Sequence, residues 1–197
     1  MELLLVRHAL PLRVERDDGM PADPPLGDEG QRQAERLARW LEGERIDAIY
    51  ASPLQRALET AQPLAKSRGI ALRIEPGVVE FDRMASAYVP LEEIKAQDPE
   101  RWRALVRGGL VEGIDLGEFR RVVTGSLERI IADHSGERIA VVCHGGVINT
   151  WAAHVLGLET TLFFDPVYTS VSRFLASASG ERSLASLNEA AHLREGP

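Results

Sequence analysis

Apolar positions fall along this chain in two recurring patterns, short unbroken runs and longer stretches spaced by three and four. Leu3 to Val6 is a continuous apolar run at the start, Arg138 to Cys143 is nearly continuous, and Ile46 to Ala51 and Ala71 to Ile74 are further short strand candidates. Such runs predict strands buried on both faces, as in a parallel sheet. From Gln31 the pattern changes: Ala34, Leu37, Ala38 and Leu41 recur at helical spacing among Arg and Glu. A second helix is predicted after Ala51, with Ser52 as N-cap, Pro53 in the first turn and Gln55 completing a capping box. Ala57, Leu58, Ala61, Leu64 and Ala65 give it an apolar face. A longer amphipathic helix is predicted over about Leu116 to Ala132, and another over Val147 to Leu156, stopped by Gly157. Residues 11–30, rich in Pro, Gly and charge, read as a loop. Two strands near 167–177 and 182–188, joined at Gly180, read as a closing hairpin.

Strands alternating with helices predict an α/β fold, a three-layer α/β/α sandwich with a mostly parallel central sheet. At 197 residues the chain is expected to form a single domain, 1–197. Residues 83–114 are less regular, with helical pieces expected at 91–96 and 99–106, and read as an insertion facing the substrate. Nothing repeats at 20–50 residues, so a solenoid is not expected.

Charge narrows the partners. Thirty acidic residues against 23 basic ones give a net charge of −7, which disfavours broad nucleic-acid or anionic-membrane binding. No apolar run approaches the ~20 residues that span a bilayer, and MELLLVRH lacks the basic lead of a signal peptide. One cysteine makes no internal disulfide, so a reducing, cytoplasmic setting is expected. A homodimer through an apolar helix face stays open.

Ligands of open α/β sheets bind beyond the carboxyl ends of the strands, and the polar residues at those ends are informative. The first strand delivers Arg7 and His8. The strand ending at Cys143 delivers His144, then Gly145 and Gly146 at a helix start. The second strand leads to Ser52, with Arg56 about one turn into the following helix, and Glu80 follows the third strand. Arginine forks hold phosphate or carboxylate oxygens. A helix N-terminus adds backbone donors for an anion. Histidine serves as nucleophile or acid–base group, kept neutral by neighbouring arginines. A nearby carboxylic acid protonates a leaving alkoxide. The set suits phosphoryl transfer to a histidine with no cofactor and no metal.

The segments LVRHALP, ASPLQRALETA, VVEFD and VVCHGGVI, in that order, resemble the histidine phosphatase superfamily, with its phosphoglycerate mutase-like fold. The resemblance covers most of the chain. It implies His8 as the nucleophile that becomes phosphohistidine, with Arg7, Arg56 and His144 holding the phosphoryl group. Glu80 would be the general acid for the leaving group and then the base for water. Three positions depart from the family pattern. Ala9 stands where a glycine is usual. Leu10 to Leu12 offer no hydroxyl or amide as an extra phosphate ligand, a place Arg13 is free to fill. Gly27, in place of a threonine, precedes the first helix.

Plainer readings stand beside these. His134, His154 and His192 are read as structural. Arg56 has an alternative surface pairing with Glu59, and Asp82 is the rival of Glu80 as proton donor. Cys143 is read as a packed strand residue, since no phosphate-binding loop ending in arginine follows it. A zinc site of His8, His144 and Glu80 lacks any supporting spacing, and the arginines would repel a dication. Arg101, Arg103 and Arg107 read as a solvated helix face, or as a basic edge greeting an anionic substrate. The expected function is hydrolysis of a small phosphomonoester. A phosphoglycerate-type mutase and a catalytically silent phospholigand binder are the alternatives.

Overall fold

The computed structural model of the chain describes residues 1–90, 93, 96–98, 100, 115–159 and 162–194. Its strands are β1 (Glu2–Arg7), β2 (Val14–Glu15), β3 (Ala48–Ala51), β4 (Leu72–Ile74), β5 (Ala87–Tyr88), β6 (Arg138–Cys143), β7 (Val171–Ala176) and β8 (Arg182–Glu189). The helices are α1 (Asp28–Trp40), α2 (Gln55–Arg68), α3 (Leu116–Asp133) and α4 (Gly145–Leu156). Among the described residues six strands form one sheet in the order β4-β3-β6-β1-β7-β8. The pairs β4–β3, β3–β6 and β6–β1 are parallel, and β1–β7 and β7–β8 antiparallel.

The continuous apolar runs hide a period of two. Leu4 and Val6 of β1, with Ala140 and Val142 of β6, pack with Leu37 of α1, Leu41 at its C-cap, and Ala61 and Leu64 of α2. Leu3 and Leu5, with Ile139, Val141 and Cys143, pack on Val123, Leu127, Ile130 and Trp151 of α3 and α4. Both faces of the central strands are thus sealed, which is why no polar residue interrupts them. The result is helix, sheet and helix in three layers, as the alternation of elements predicts.

Register places the chemistry. Arg7 lies opposite Cys143, so β1 and β6 end side by side and their next residues, His8 and His144, emerge together. The main chain continues the pairing for one step, His8 N donating to the Cys143 carbonyl at 2.9 Å.

Several boundaries differ from the sequence reading, each for a local reason. Helix α1 begins at Asp28, inside the expected 11–30 loop, with Asp28 and Glu29 in its first turn suiting the dipole. The same loop contributes β2, which pairs with β5. The cap of α2 is Leu54, not Ser52, so Arg56 is the second helical residue rather than a turn inside. Gln55 N donates to both carboxylate oxygens of Asp23, at 2.9 and 3.0 Å, and the Gln55 side chain donates to Glu59. No reciprocal capping box forms. Helix α4 starts at Gly145, two residues before the expected Val147. Gly157 closes it in the left-handed region, at φ 68°. Strand β7 starts at Val171, later than expected, because residues 163–170 form a loop against α4. The helical pieces expected at 91–96 and 99–106, and Arg101, Arg103 and Arg107, lie largely or wholly outside the described residues.

Two asparagines fasten that loop. Asn149 of α4 donates to the carbonyls of Gly145 and Phe164 and accepts from Phe163 N and Phe164 N. Asn188 accepts from Val167 N and donates to the Asp165 carbonyl. Buried amides with every partner in place cost little, but removing one strands the others. Asn149→Ala should therefore lower stability by roughly 2–4 kcal/mol, read as a fall in the urea midpoint with an unchanged m-value.

Candidate active site

The site is assembled from the ends of β1 and β6, the start of α2, and the loops at 80–82 and 163–170. Arg7, His8, Arg56 and His144 are all essentially out of solvent, none more than 3% exposed. The His8 and His144 rings lie 5.1 Å apart between centroids.

Nδ1 of His8 is 2.8 Å from the Ala9 carbonyl. A carbonyl only accepts, so Nδ1 carries the ring hydrogen and Nε2 holds a bare lone pair. Burial, then Arg56 and Arg7, hold His8 well below its ordinary pKa, while the Ala9 carbonyl pulls the other way. The imidazole is therefore neutral at pH 7. Thr60 sets the turn beyond it: its hydroxyl accepts from Ala9 N at 2.8 Å and donates to the Arg56 carbonyl at 2.6 Å. One face of α2 thus aligns both Arg56 and the segment after His8.

Each buried guanidinium is backed by an aromatic ring. Arg7 lies over Tyr168, 3.9 Å from its centroid, and Arg56 over Tyr88 at 4.7 Å. Carboxylates complete the balance. Arg56 lies 3.4 Å from Asp82 and 3.8 Å from Asp23, and Arg7 lies 3.9 Å from Asp165 and donates to the Pro166 carbonyl. The surface pairing of Arg56 with Glu59 does not form; Glu59 accepts instead from Leu26 N and Gln55. Tyr168 is held by a strained neighbour, Thr169, at φ 59°. Thr169 N donates to the Arg7 carbonyl, and its hydroxyl donates to the Tyr168 carbonyl and bonds His192 Nε2.

Glu80 sits on the N-terminus of α4. Its Oε2 accepts from Gly146 N at 2.9 Å and its Oε1 from Phe81 N at 3.1 Å. A Cβ at position 146 would lie 2.2 Å from Oε1 and 2.6 Å from the Phe81 ring, so only glycine admits this carboxyl so close. Burial and then Asp82 push its pKa up to about 7, against the two backbone donors and Arg56. Asp82 is also raised by burial, but Arg56 and its hydrogen bond oppose this. The geometry separates the rivals: Glu80 faces the helix terminus, Asp82 faces Arg56.

His144 is fully buried, with Nε2 2.8 Å from Ser52 Oγ. Burial, then Arg56, His8 and Arg7, lower its pKa as well. The remaining candidates are placed elsewhere. Arg13 is exposed and pairs with Glu15 and Glu93. His134 bonds Tyr50 and Glu137, His192 stacks on Trp40, and His154 is exposed on α4 beside Trp151. Among the described residues no group of three His, Cys, Asp or Glu is arranged to hold a metal ion. Nor is any helix there long and apolar enough to cross a membrane.

Sequence reasoning missed Thr60, Tyr88, Tyr168, Asp23 and Asp165. Only Thr60 carried a signal, four residues after Arg56 on the same helical face. Tyr88 arrives from the two-residue strand β5 and Tyr168 from the 163–170 loop, neither long enough to show a periodicity.

Residues 3–189 match the sequence profile of the histidine phosphatase superfamily (branch 1). Phosphoserine phosphatase 1 of Hydrogenobacter thermophilus is 30% identical over 170 residues, covering 83% of this chain and 80% of that protein. Phosphoglycerate mutase-like protein 4 of Arabidopsis thaliana is 34% identical over 163 residues, 76% of this chain and 68% of that one. In fold, the chain superposes on a phosphoserine phosphatase of Entamoeba histolytica in complex with phosphoserine. The TM-score is 0.76 at 23% identity, covering 98% of this chain and 99% of the other.

Cys143 lies beside this site but packs into the core, fully buried, and burial pushes its thiol well above the usual range. Ellman's reagent at pH 8 should leave it unreacted in the native protein and titrate it fully in denaturant. Rapid native labelling would count against its being a packed strand residue.

Proposed function

The chain belongs to the histidine phosphatase superfamily, and from that premise we propose that it is a phosphomonoester hydrolase working through a phosphohistidine on His8. The observation that carries this reading is the state of His8. It is a neutral imidazole with a bare Nε2, set beside two buried guanidiniums and a carboxyl poised near pH 7.

In the first half-reaction the Nε2 lone pair attacks phosphorus in line and the bond to the leaving oxygen breaks. Arg7, Arg56 and His144 hold the non-bridging oxygens, so charge is stabilised without reorganisation. Glu80, protonated, gives its proton to the departing alkoxide. In the second half-reaction the Glu80 carboxylate takes a proton from water as that oxygen attacks the phosphohistidine. The P–N bond breaks, Nε2 recovers its lone pair and inorganic phosphate leaves. The sum is phosphomonoester plus water giving alcohol plus phosphate.

This chemistry needs no metal: the two guanidiniums already neutralise the phosphoryl oxygens, and they would repel a dication in the same place. The substrate is a small phosphorylated molecule, and the phosphoserine phosphatase relative supports hydrolysis as its fate. Tyr88, from the described part of the 83–114 segment, reaches the pocket, which supports reading that segment as substrate-facing. A mutase must also seat a second anion, and Arg13, the further cation the sequence offers, is paired with Glu15 and Glu93 instead, which favours hydrolysis. A silent binder would have no use for an acid at Glu80.

Wild-type protein should release phosphate from p-nitrophenyl phosphate with EDTA present, while His8→Ala should fall to background. No release, with interconversion of phosphoglycerates after labelling by 2,3-bisphosphoglycerate, would establish a mutase instead; retention of an unhydrolysed ester would establish a binder.

The role of Glu80 is read through pH and leaving group. Its acid form is needed first, so kcat/KM on an alkyl phosphate should decline as pH rises through about 7. The acid limb from His8 lies below its ordinary pKa, because that pKa is lowered. Glu80→Gln should cost about 10²–10⁴-fold on alkyl phosphates, far less on p-nitrophenyl phosphate, and should remove the decline. Equal losses on both esters would assign the proton to another group, Asp82 first.

A further inference from the structure

We propose that Ser52 is a positioning residue: its hydroxyl donates to Nε2 of His144 and fixes that ring as the Nδ1–H tautomer, leaving Nδ1–H to donate to a phosphoryl oxygen. The inference rests on the phosphohistidine reading above and adds to it how His144 is oriented.

Ser52 is read from sequence as a helix cap, but the cap is elsewhere. Its backbone N donates to the Val142 carbonyl at 3.0 Å, which pins it beside the end of β6. Its side chain is fully buried, with Oγ 2.8 Å from His144 Nε2 and 3.4 Å from Leu54 N. Leu54 N–H can only donate, so it occupies one lone pair of Oγ. The hydroxyl hydrogen then has Nε2 as its acceptor, and the bonds run in one direction from Leu54 N–H through Ser52 O–H to His144 Nε2.

The opposite assignment fails on donor and acceptor counting. If Nε2–H donated to Ser52, the buried hydroxyl hydrogen would have no acceptor among the described residues. Nδ1 would be a bare lone pair, and it too has no partner there. With Ser52 as donor, Nδ1–H alone is left over, and it is the kind of group an anionic oxygen satisfies. Burial, then Arg56, His8 and Arg7, hold the ring neutral, so there is one ring proton to place. In the wrong tautomer a lone pair would face the phosphoryl oxygen and repel it. Ser52 thus acts on the reaction through His144.

Protein labelled with ¹⁵N-histidine tests this, with the His144 signals assigned by their loss in His144→Gln. Wild type at pH 7 should show a protonated Nδ1 and a bare Nε2. Ser52→Ala should populate both tautomers and lower kcat on p-nitrophenyl phosphate about tenfold, with a smaller change in KM. Ser52→Thr keeps the hydroxyl and should keep both the tautomer and, within about twofold, the rate. A protonated Nε2 in wild type, alone or with Nδ1, overturns the proposal, as does a Ser52→Ala protein with unchanged tautomer and kcat. If Ser52→Ala does not fold, the wild-type spectrum and Ser52→Thr decide. Absence of wild-type turnover would instead sink the phosphatase reading, while the spectrum still tests the Ser52–His144 assignment.

Discussion

Two guanidinium groups, on Arg7 and Arg56, are held almost wholly out of water at one edge of the sheet, and the surrounding structure answers that burial. A buried cation without compensation is costly, so each has an aromatic face beneath it and carboxylates within 4 Å. Burial first, and then the guanidiniums themselves, hold the imidazoles of His8 and His144 neutral in the same space. The charge arrangement that makes the pocket expensive to build is the one that makes it receptive to a dianion. The neutral imidazole of His8 and the anion-receptive charge around it thus share one electrostatic origin.

The opposite sign is handled at the start of α4. Glu80 is buried near Asp82, which favours its neutral form, yet it accepts two backbone N–H bonds, which favour the anion. The balance leaves the carboxyl poised near neutrality. A carboxyl balanced in this way can both give and take a proton near pH 7. The glycine at 146 is its steric condition, since a side chain there would occupy the space of the carboxyl.

Much of this was legible in the sequence, for physical reasons. Strands sealed on both faces print as unbroken apolar runs, so β1 and β6 stand out, and with them the pair His8 and His144 at their ends. Arg56 was legible from its motif, and Glu80 from its place after β4. Other features depend on contacts that no local pattern encodes. Ser52 has every local mark of an N-cap, yet tertiary geometry turns its hydroxyl to His144 and gives the helix terminus to Asp23, 32 residues upstream. Glu80 and Asp82 are two residues apart, and only the approach of α4 to one and Arg56 to the other tells them apart. Tyr88 lies in a two-residue strand and Tyr168 in a loop, where an aromatic residue reads equally well as core or surface.

The position of β1 also bears on how the protein is made. Strand β1 pairs with β6 on one side and β7 on the other, so both its neighbours come from far later in the chain. During translation Leu4 and Val6 can gain cover from α1 and α2, but Leu3 and Leu5 wait for α3 and α4, and both hydrogen-bonding edges wait for β6 and β7. Contacts this distant in sequence slow folding, and an unpaired apolar strand is adhesive while it waits. His8, at the end of β1, is thus made long before the strands that set it in place.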